Sequence, residues 1–225
     1  MAALLTSDQH DSDRVAIEIE ECRSMGIKVM PPDINESFDS FTVVTAGTKE
    51  NKIASENEKV DTIRFGLNAI KNVGEHIVEV IIDERKSGGA YGNVFDLLER
   101  VNDKDLNKKS LESLIKSGAL ESFGEIGFLL SNLDRLLLFN KENSKQQESR
   151  QVSLFAASPQ FMHLSRPQLL ESEPIASIER LSWEKELLGL YISDNPLSMF
   201  ASYLAGFSTP LSRLKNRRGD DYLVV

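Results

Sequence analysis

From position 70 to 137 the apolar residues recur at three- and four-residue intervals, interrupted every dozen residues or so by glycine or asparagine. That pattern commits the middle of the chain to a block of short packed helices. Ile77, Val78, Ile81 and Ile82 form one stripe, which stops near Gly88-Gly89. Val94–Val101 reads as a short helix. Asn107 caps the next, with Leu111, Leu114 and Ile115 turned inward and Gly118 closing it. Leu129, Leu130, Leu133, Leu136 and Leu137 mark one further long amphipathic helix.

The flanks are less regular. Val15, Ile19, Cys22 and Met25 keep helical spacing between caps at Asp11 or Ser12 and a stop at Gly26. Ile27–Met30 runs extended into Pro31-Pro32, which ends any helix. Phe41–Val44 and Thr62–Leu67 are β-prone and are expected to pair as a ribbon around a polar tip at 45–60. From Lys141 to Glu179 the periodicity gives way to Gln, Ser, Glu and Pro, read as a linker or loosely packed wrap. A helical pair at 181–205 is broken at Asp194-Asn195-Pro196, and Tyr222–Val225 reads as a strand. The expected fold is mostly α-helical, a helical domain with a helix-hairpin-helix and a small β-ribbon.

Composition excludes several classes. Of 225 residues, 40% are hydrophobic and 27% charged, as in ordinary soluble proteins. No apolar run is long enough to cross a bilayer, and the lone Cys22 has no partner for an internal disulfide. A cytoplasmic location without membrane contact is expected. The net charge of −9 argues against nucleic-acid binding by bulk electrostatics. Residues 61–120, however, carry 10 acids against 9 bases, so any DNA contact belongs there and relies on local geometry. His10, His76 and His163 are scattered, and Asp11, Asp13, Asp33 and Asp39 read as caps, turns and solvated charge. No catalytic residue, resident metal or cofactor is expected in this chain.

Ile70-Lys71-Asn72-Val73-Gly74-Glu75 joins an apolar turn to the Ile77 helix and resembles a helix-hairpin-helix DNA-binding motif. A tight hairpin at a helix N-terminus points unpaired N–H groups at a phosphate, helped by the helix dipole. Such contacts ignore base identity. Lys71, Asn72, Val73, Gly74 and Glu75 are the candidate DNA contacts, Lys71 through a direct ion pair. Asn72 stands where the motif usually has glycine, and asparagine tolerates the left-handed backbone this turn requires. The alternative is a plain turn between packed helices, with Gly74 needed for backbone geometry. Leu97–Leu120 has helix-loop-helix form without the glycine hairpin and reads as structural support.

Gln151-Val152-Ser153-Leu154-Phe155 has the form of the peptide with which bacterial proteins bind the sliding clamp: a glutamine, two spacers, then Leu-Phe. Leu154 and Phe155 lie between polar runs without helical periodicity, so an external pocket suits them. Burying both supplies roughly 4–6 kcal/mol before entropy costs. Gln151 would set the register and Ser153 is a spacer. The alternative is that Leu154 and Phe155 pin the linker to their own domain.

The collinear order of these pieces resembles the alpha-subunit family of bacterial DNA polymerase III, the C-family replicative polymerases. Ala2–Ser7 with Glu21–Asn35 resembles the end of that family's fingers domain. Ile63–Lys71 with Val73-Gly74-Glu75 resembles its helix-hairpin-helix. Asn107–Leu111 and Leu114–Leu120 resemble the following helix, and Trp183–Tyr191 the stretch leading to its OB domain. Departures are Asn72, Asp194-Asn195 before Pro196, and a long 45–60 tip.

The resemblance implies an internal fragment with this organisation: end of fingers over 1–40, ribbon and helix-hairpin-helix over 41–140, and linker with clamp peptide over 141–180. A helical connector would follow over 181–210, with the start of an OB domain over 211–225. It implies a DNA-directed DNA polymerase whose palm aspartates and Mg2+ lie upstream, leaving this part inactive alone. Duplex DNA, the sliding clamp and other replicative holoenzyme subunits are the implied partners. Two rival readings stay open: a stand-alone helix-hairpin-helix module of a repair protein, and a structural helical adaptor.

Overall fold

A computed structural model describes residues 1–44, 62–152 and 166–194, with Pro196, Leu197, Phe200 and Tyr203. Two helices open the chain, α1 (Ala2–Ser7) and α2 (Ser12–Ser24). Asp11 caps α2 by accepting hydrogen bonds from the N–H groups of Asp13 and Arg14 at 3.2 Å. Val15, Ile19 and Cys22 are its buried face, as their spacing requires.

Three short strands follow: β1 (Lys28–Met30), β2 (Thr42–Val44) and β3 (Thr62–Arg64). β2 and β3 pair antiparallel, Val43 opposite Ile63, which is the expected ribbon. The sheet is larger than that ribbon, because β1 lies parallel to β3 on its other side and makes the order β1-β3-β2. A lone extended run before two prolines gives no pairing signal, so its partner was not readable. The tip at 45–60 lies outside the described residues. Behind the sheet, Phe41 and Phe65 meet edge-to-face at 4.7 Å.

The helical block comprises α3 (Glu75–Gly88), α4 (Val94–Arg100), α5 (Lys108–Lys116), α6 (Ile126–Ser131) and α7 (Leu133–Val152). Ile77, Val78, Ile81 and Ile82 are buried together with Leu97, Leu98, Leu111, Leu114, Leu129 and Leu136 in a core continuous with α2. Arg100 closes the end of α3 by donating to the Glu84 carbonyl at 2.6 Å, its guanidinium lying 4.3 Å from the Tyr91 ring centroid. Asn107 caps α5 through Lys109 and Ser110, and Gly118 ends that turn at φ 82°, both as read from the sequence.

Two boundaries differ from the sequence reading. The single helix expected through Leu129 and Leu137 is two, broken at Asn132. The Asn132 side chain is buried, donates to the carbonyls of Phe128 and Leu170, and accepts from the Leu170 N–H. An asparagine committed to a distant backbone looks like any polar helix residue in the sequence. Second, α7 continues to Val152, past the point at Lys141 where a linker was expected. Lys, Glu, Gln and Arg are good helix formers without apolar periodicity, so that stretch extends a helix already nucleated by Leu133–Phe139.

Residues 166–176 then cross the block without regular secondary structure. Arg166 pairs with both carboxylate oxygens of Glu99, and the Ile175 N–H donates to Glu125. Helix α8 (Ser177–Leu188) ends at Gly189, φ 83°, where a Cβ would lie 2.7 Å from Ser12. That contact presses the end of α8 against the start of α2. Tyr222–Val225 and most of the second half of the expected 181–205 pair lie outside the described residues.

Candidate nucleic-acid interface

The hairpin sits between a 3₁₀ turn (Leu67–Ala69) and α3. Ile70 and Val73 are buried anchors, while Lys71, Asn72, Gly74, Glu75 and His76 face solvent. Asn72 has φ 67°, the one non-glycine positive φ among the described residues. The turn therefore takes the left-handed backbone that glycine adopts most freely, and asparagine supplies it. The Asn72 amide also donates to Ser113 Oγ at 3.3 Å, tying the turn to α5. The Lys71 N–H donates to the Leu187 carbonyl at 3.0 Å, tying it to the last turn of α8.

Gly74 is the N-cap of α3 with φ −78° and ψ 153°, ordinary extended geometry open to any residue. A Cβ there would meet nothing within 4 Å. Backbone geometry therefore does not require glycine at 74, contrary to the plain-turn reading. What the glycine leaves is open space directly before a helix start. No side chain caps α3, and the N–H groups of Glu75, His76 and Ile77 have no protein acceptor among the described residues. Ile77 is buried, so the N–H groups of the exposed Glu75 and His76, uncapped at the positive end of the helix, are the ones open to an anion. Lys71 stands exposed beside it and makes no ion pair among the described residues.

The surroundings are not uniformly positive. Glu75 lies 3.7 Å from His10 at the exposed rim. His76 Nε2 lies 3.1 Å from Asp103 Oδ2, with Asp105 adjacent. The N–H of Asp105, donating at 2.8 Å, holds the Asp103 carboxyl below the usual range, with His76 adding to that effect. The sequence left His76 isolated, since Asp103 and Asp105 come from the α4–α5 loop.

Of the clamp-peptide residues, Gln151 falls in the last turn of α7, while Ser153, Leu154 and Phe155 lie outside the described residues. The carboxylates read as caps have structural partners: Asp11 caps α2, and Asp33 accepts from the Asn35 N–H at 2.7 Å. No helix among the described residues is long and apolar enough to cross a membrane.

The model of the helix-hairpin-helix motif family matches residues 26–126, from the turn before β1 to the first residue of α6. DNA polymerase III subunit alpha of Thermus aquaticus is 40% identical over 197 residues, 88% of this chain and 14% of that protein. The Borreliella burgdorferi subunit is 37% identical over 211 residues, 93% of this chain and 17% of that protein. The Haemophilus influenzae subunit is 33% identical over 224 residues, 97% of this chain and 18% of that protein. The chain thus spans less than a fifth of the length of these relatives.

Proposed function

Because the chain is homologous over nearly all its length to a segment of the DNA polymerase III alpha subunits, we propose that it serves a replicative DNA-directed DNA polymerase by holding duplex DNA and tethering the enzyme to its sliding clamp. The observation that carries the DNA half is the uncapped start of α3 behind Gly74, held rigid by Asn72 and by the Lys71–Leu187 bond. A phosphate entering that space gains backbone N–H donors, the helix dipole and Lys71 without any base being read. Nucleotidyl transfer itself, with its Mg2+ and palm aspartates, belongs to other parts of such a polymerase.

The clamp half rests on Gln151, Ser153, Leu154 and Phe155. Gln151 falls in the last turn of α7. Two modest contacts on one chain reinforce each other through effective concentration, so neither needs nanomolar strength. The setting is the bacterial cytoplasm, alongside other holoenzyme subunits.

Two measurements test this reading. Surface binding to the cognate clamp is expected for the wild type and lost in a Gln151→Ala, Leu154→Ala, Phe155→Ala triple variant. Duplex DNA binding, followed by fluorescence anisotropy, is expected to be sequence-independent and to weaken with salt. Duplex binding without clamp binding would favour a repair-type module, and neither would leave a structural adaptor.

A further inference from the structure

Beside the α3 N-terminus, three side chains from two elements converge. His76 comes from the first turn of α3, and Asp103 and Asp105 from the loop between α4 and α5. Their ligand atoms all lie within 4.8 Å of one another, and His76 Nε2 is 3.1 Å from Asp103 Oδ2. Around a tetrahedral ion with bonds of about 2.0–2.1 Å, neighbouring ligand atoms stand about 3.3 Å apart. The His76–Asp103 separation of 3.1 Å, a direct hydrogen bond here, lies within a few tenths of an ångström of that span, which an ion would widen slightly.

One imidazole nitrogen with two carboxylate oxygens is a donor set suited to Zn2+ or Mn2+, and poorly suited to Mg2+ or Ca2+, which take oxygen alone. Asp103 is preset for it. Its Oδ1 is engaged by the Asp105 N–H at 2.8 Å, which fixes the carboxylate and presents Oδ2 to His76.

The placement poses an electrostatic problem that such an ion solves. Glu75, Asp103 and Asp105 put three carboxylates around a helix start that otherwise favours anions. A divalent ion would offset the charges of its ligands Asp103 and Asp105, leaving Glu75 at the rim, and three protein ligands leave a coordination position open to a phosphate oxygen.

We propose that His76, Asp103 and Asp105 bind a divalent transition metal of the Zn2+ class, and that the bound ion adds a phosphate contact next to the hairpin. The second half rests on the duplex contact proposed above and the first does not, so the two fail separately. Titration of the 225-residue chain with Zn2+ alone, followed by calorimetry, should give saturable one-to-one uptake. His76→Gln and Asp105→Asn should each weaken it roughly tenfold or more while melting like the metal-free wild type. Equal uptake in the variants would assign the metal elsewhere and overturn the site, as would absence of saturable uptake at micromolar Zn2+. In anisotropy experiments one equivalent of Zn2+ should tighten duplex binding by the wild type and not by His76→Gln. Metal uptake without tightening would overturn the phosphate contact.

Discussion

Replacing Gly74 by aspartate should push stability and DNA binding in opposite directions. The N-cap dihedrals of −78° and 153° suit an aspartate cap, no side chain occupies that role, and a Cβ meets nothing within 4 Å. Asp for Gly at an N-cap gains a few tenths of a kcal/mol, and a carboxylate at the positive end of a helix adds about 0.3–1 kcal/mol. The sum, about 1 kcal/mol, should raise the melting temperature by roughly 2–4 °C in a chain of this size. The same carboxylate would occupy the phosphate's place or stand about 5 Å from it. At an effective dielectric between about 20 and 80 that repulsion is roughly 1–3 kcal/mol, about a 5- to 150-fold loss of duplex affinity. Thermal melting and low-salt anisotropy on one preparation read both quantities. A Gly74→Asp protein that is stabilised yet binds duplex as tightly as wild type would refute the hairpin contact. A destabilised one would refute the open-cap geometry.

Three further outcomes follow from the geometry. Asn72→Val should cost about 1–2 kcal/mol in urea unfolding, because a β-branched residue is strained at φ 67°, whereas Asn72→Gly should stay within about 0.5 kcal/mol. Asn132→Ala should cost about 2 kcal/mol and speed hydrogen exchange at the Leu170 amide, since it removes the bonds holding the 166–176 segment to the α6–α7 break. Burial, with the neighbouring Asp8 adding to it, raises the Glu18 carboxyl above its ordinary value, so the folded state binds its proton more tightly than the unfolded state. The resulting stability is present at acid pH and lost as pH rises through the folded pKa. Glu18→Gln should therefore stabilise relative to wild type increasingly from acid towards neutral pH, as melting temperatures across that range would show.

The helical core was legible because burial imposes a period on the sequence: Ile77, Val78, Ile81 and Ile82, then Leu111, Leu114 and Ile115, and Val15, Ile19 and Cys22 are buried where their spacing placed them, whereas Met25, read in the same stripe, caps the end of α2 and is exposed. Caps at Asp11 and Asn107 were legible because their chemistry acts within three residues. Contacts made across long separations were not. The parallel β1–β3 pair, the Asn132 break and the His76–Asp103–Asp105 group each join segments whose local sequence carries no trace of the other. At the candidate interface the left-handed need at Asn72 was readable from residue type. The freedom at Gly74 was not, because a glycine required for its φ and one required for open space are the same letter.

The bond from the Lys71 N–H to the Leu187 carbonyl bears on how the protein is made. Its acceptor is translated more than a hundred residues after its donor, so at ~5–20 residues per second the hairpin waits on the order of ten seconds for its brace. A nascent chain can collapse the α3–α7 block and tie Asn72 to Ser113 in that interval, and the second tie of the hairpin forms only once α8 has emerged.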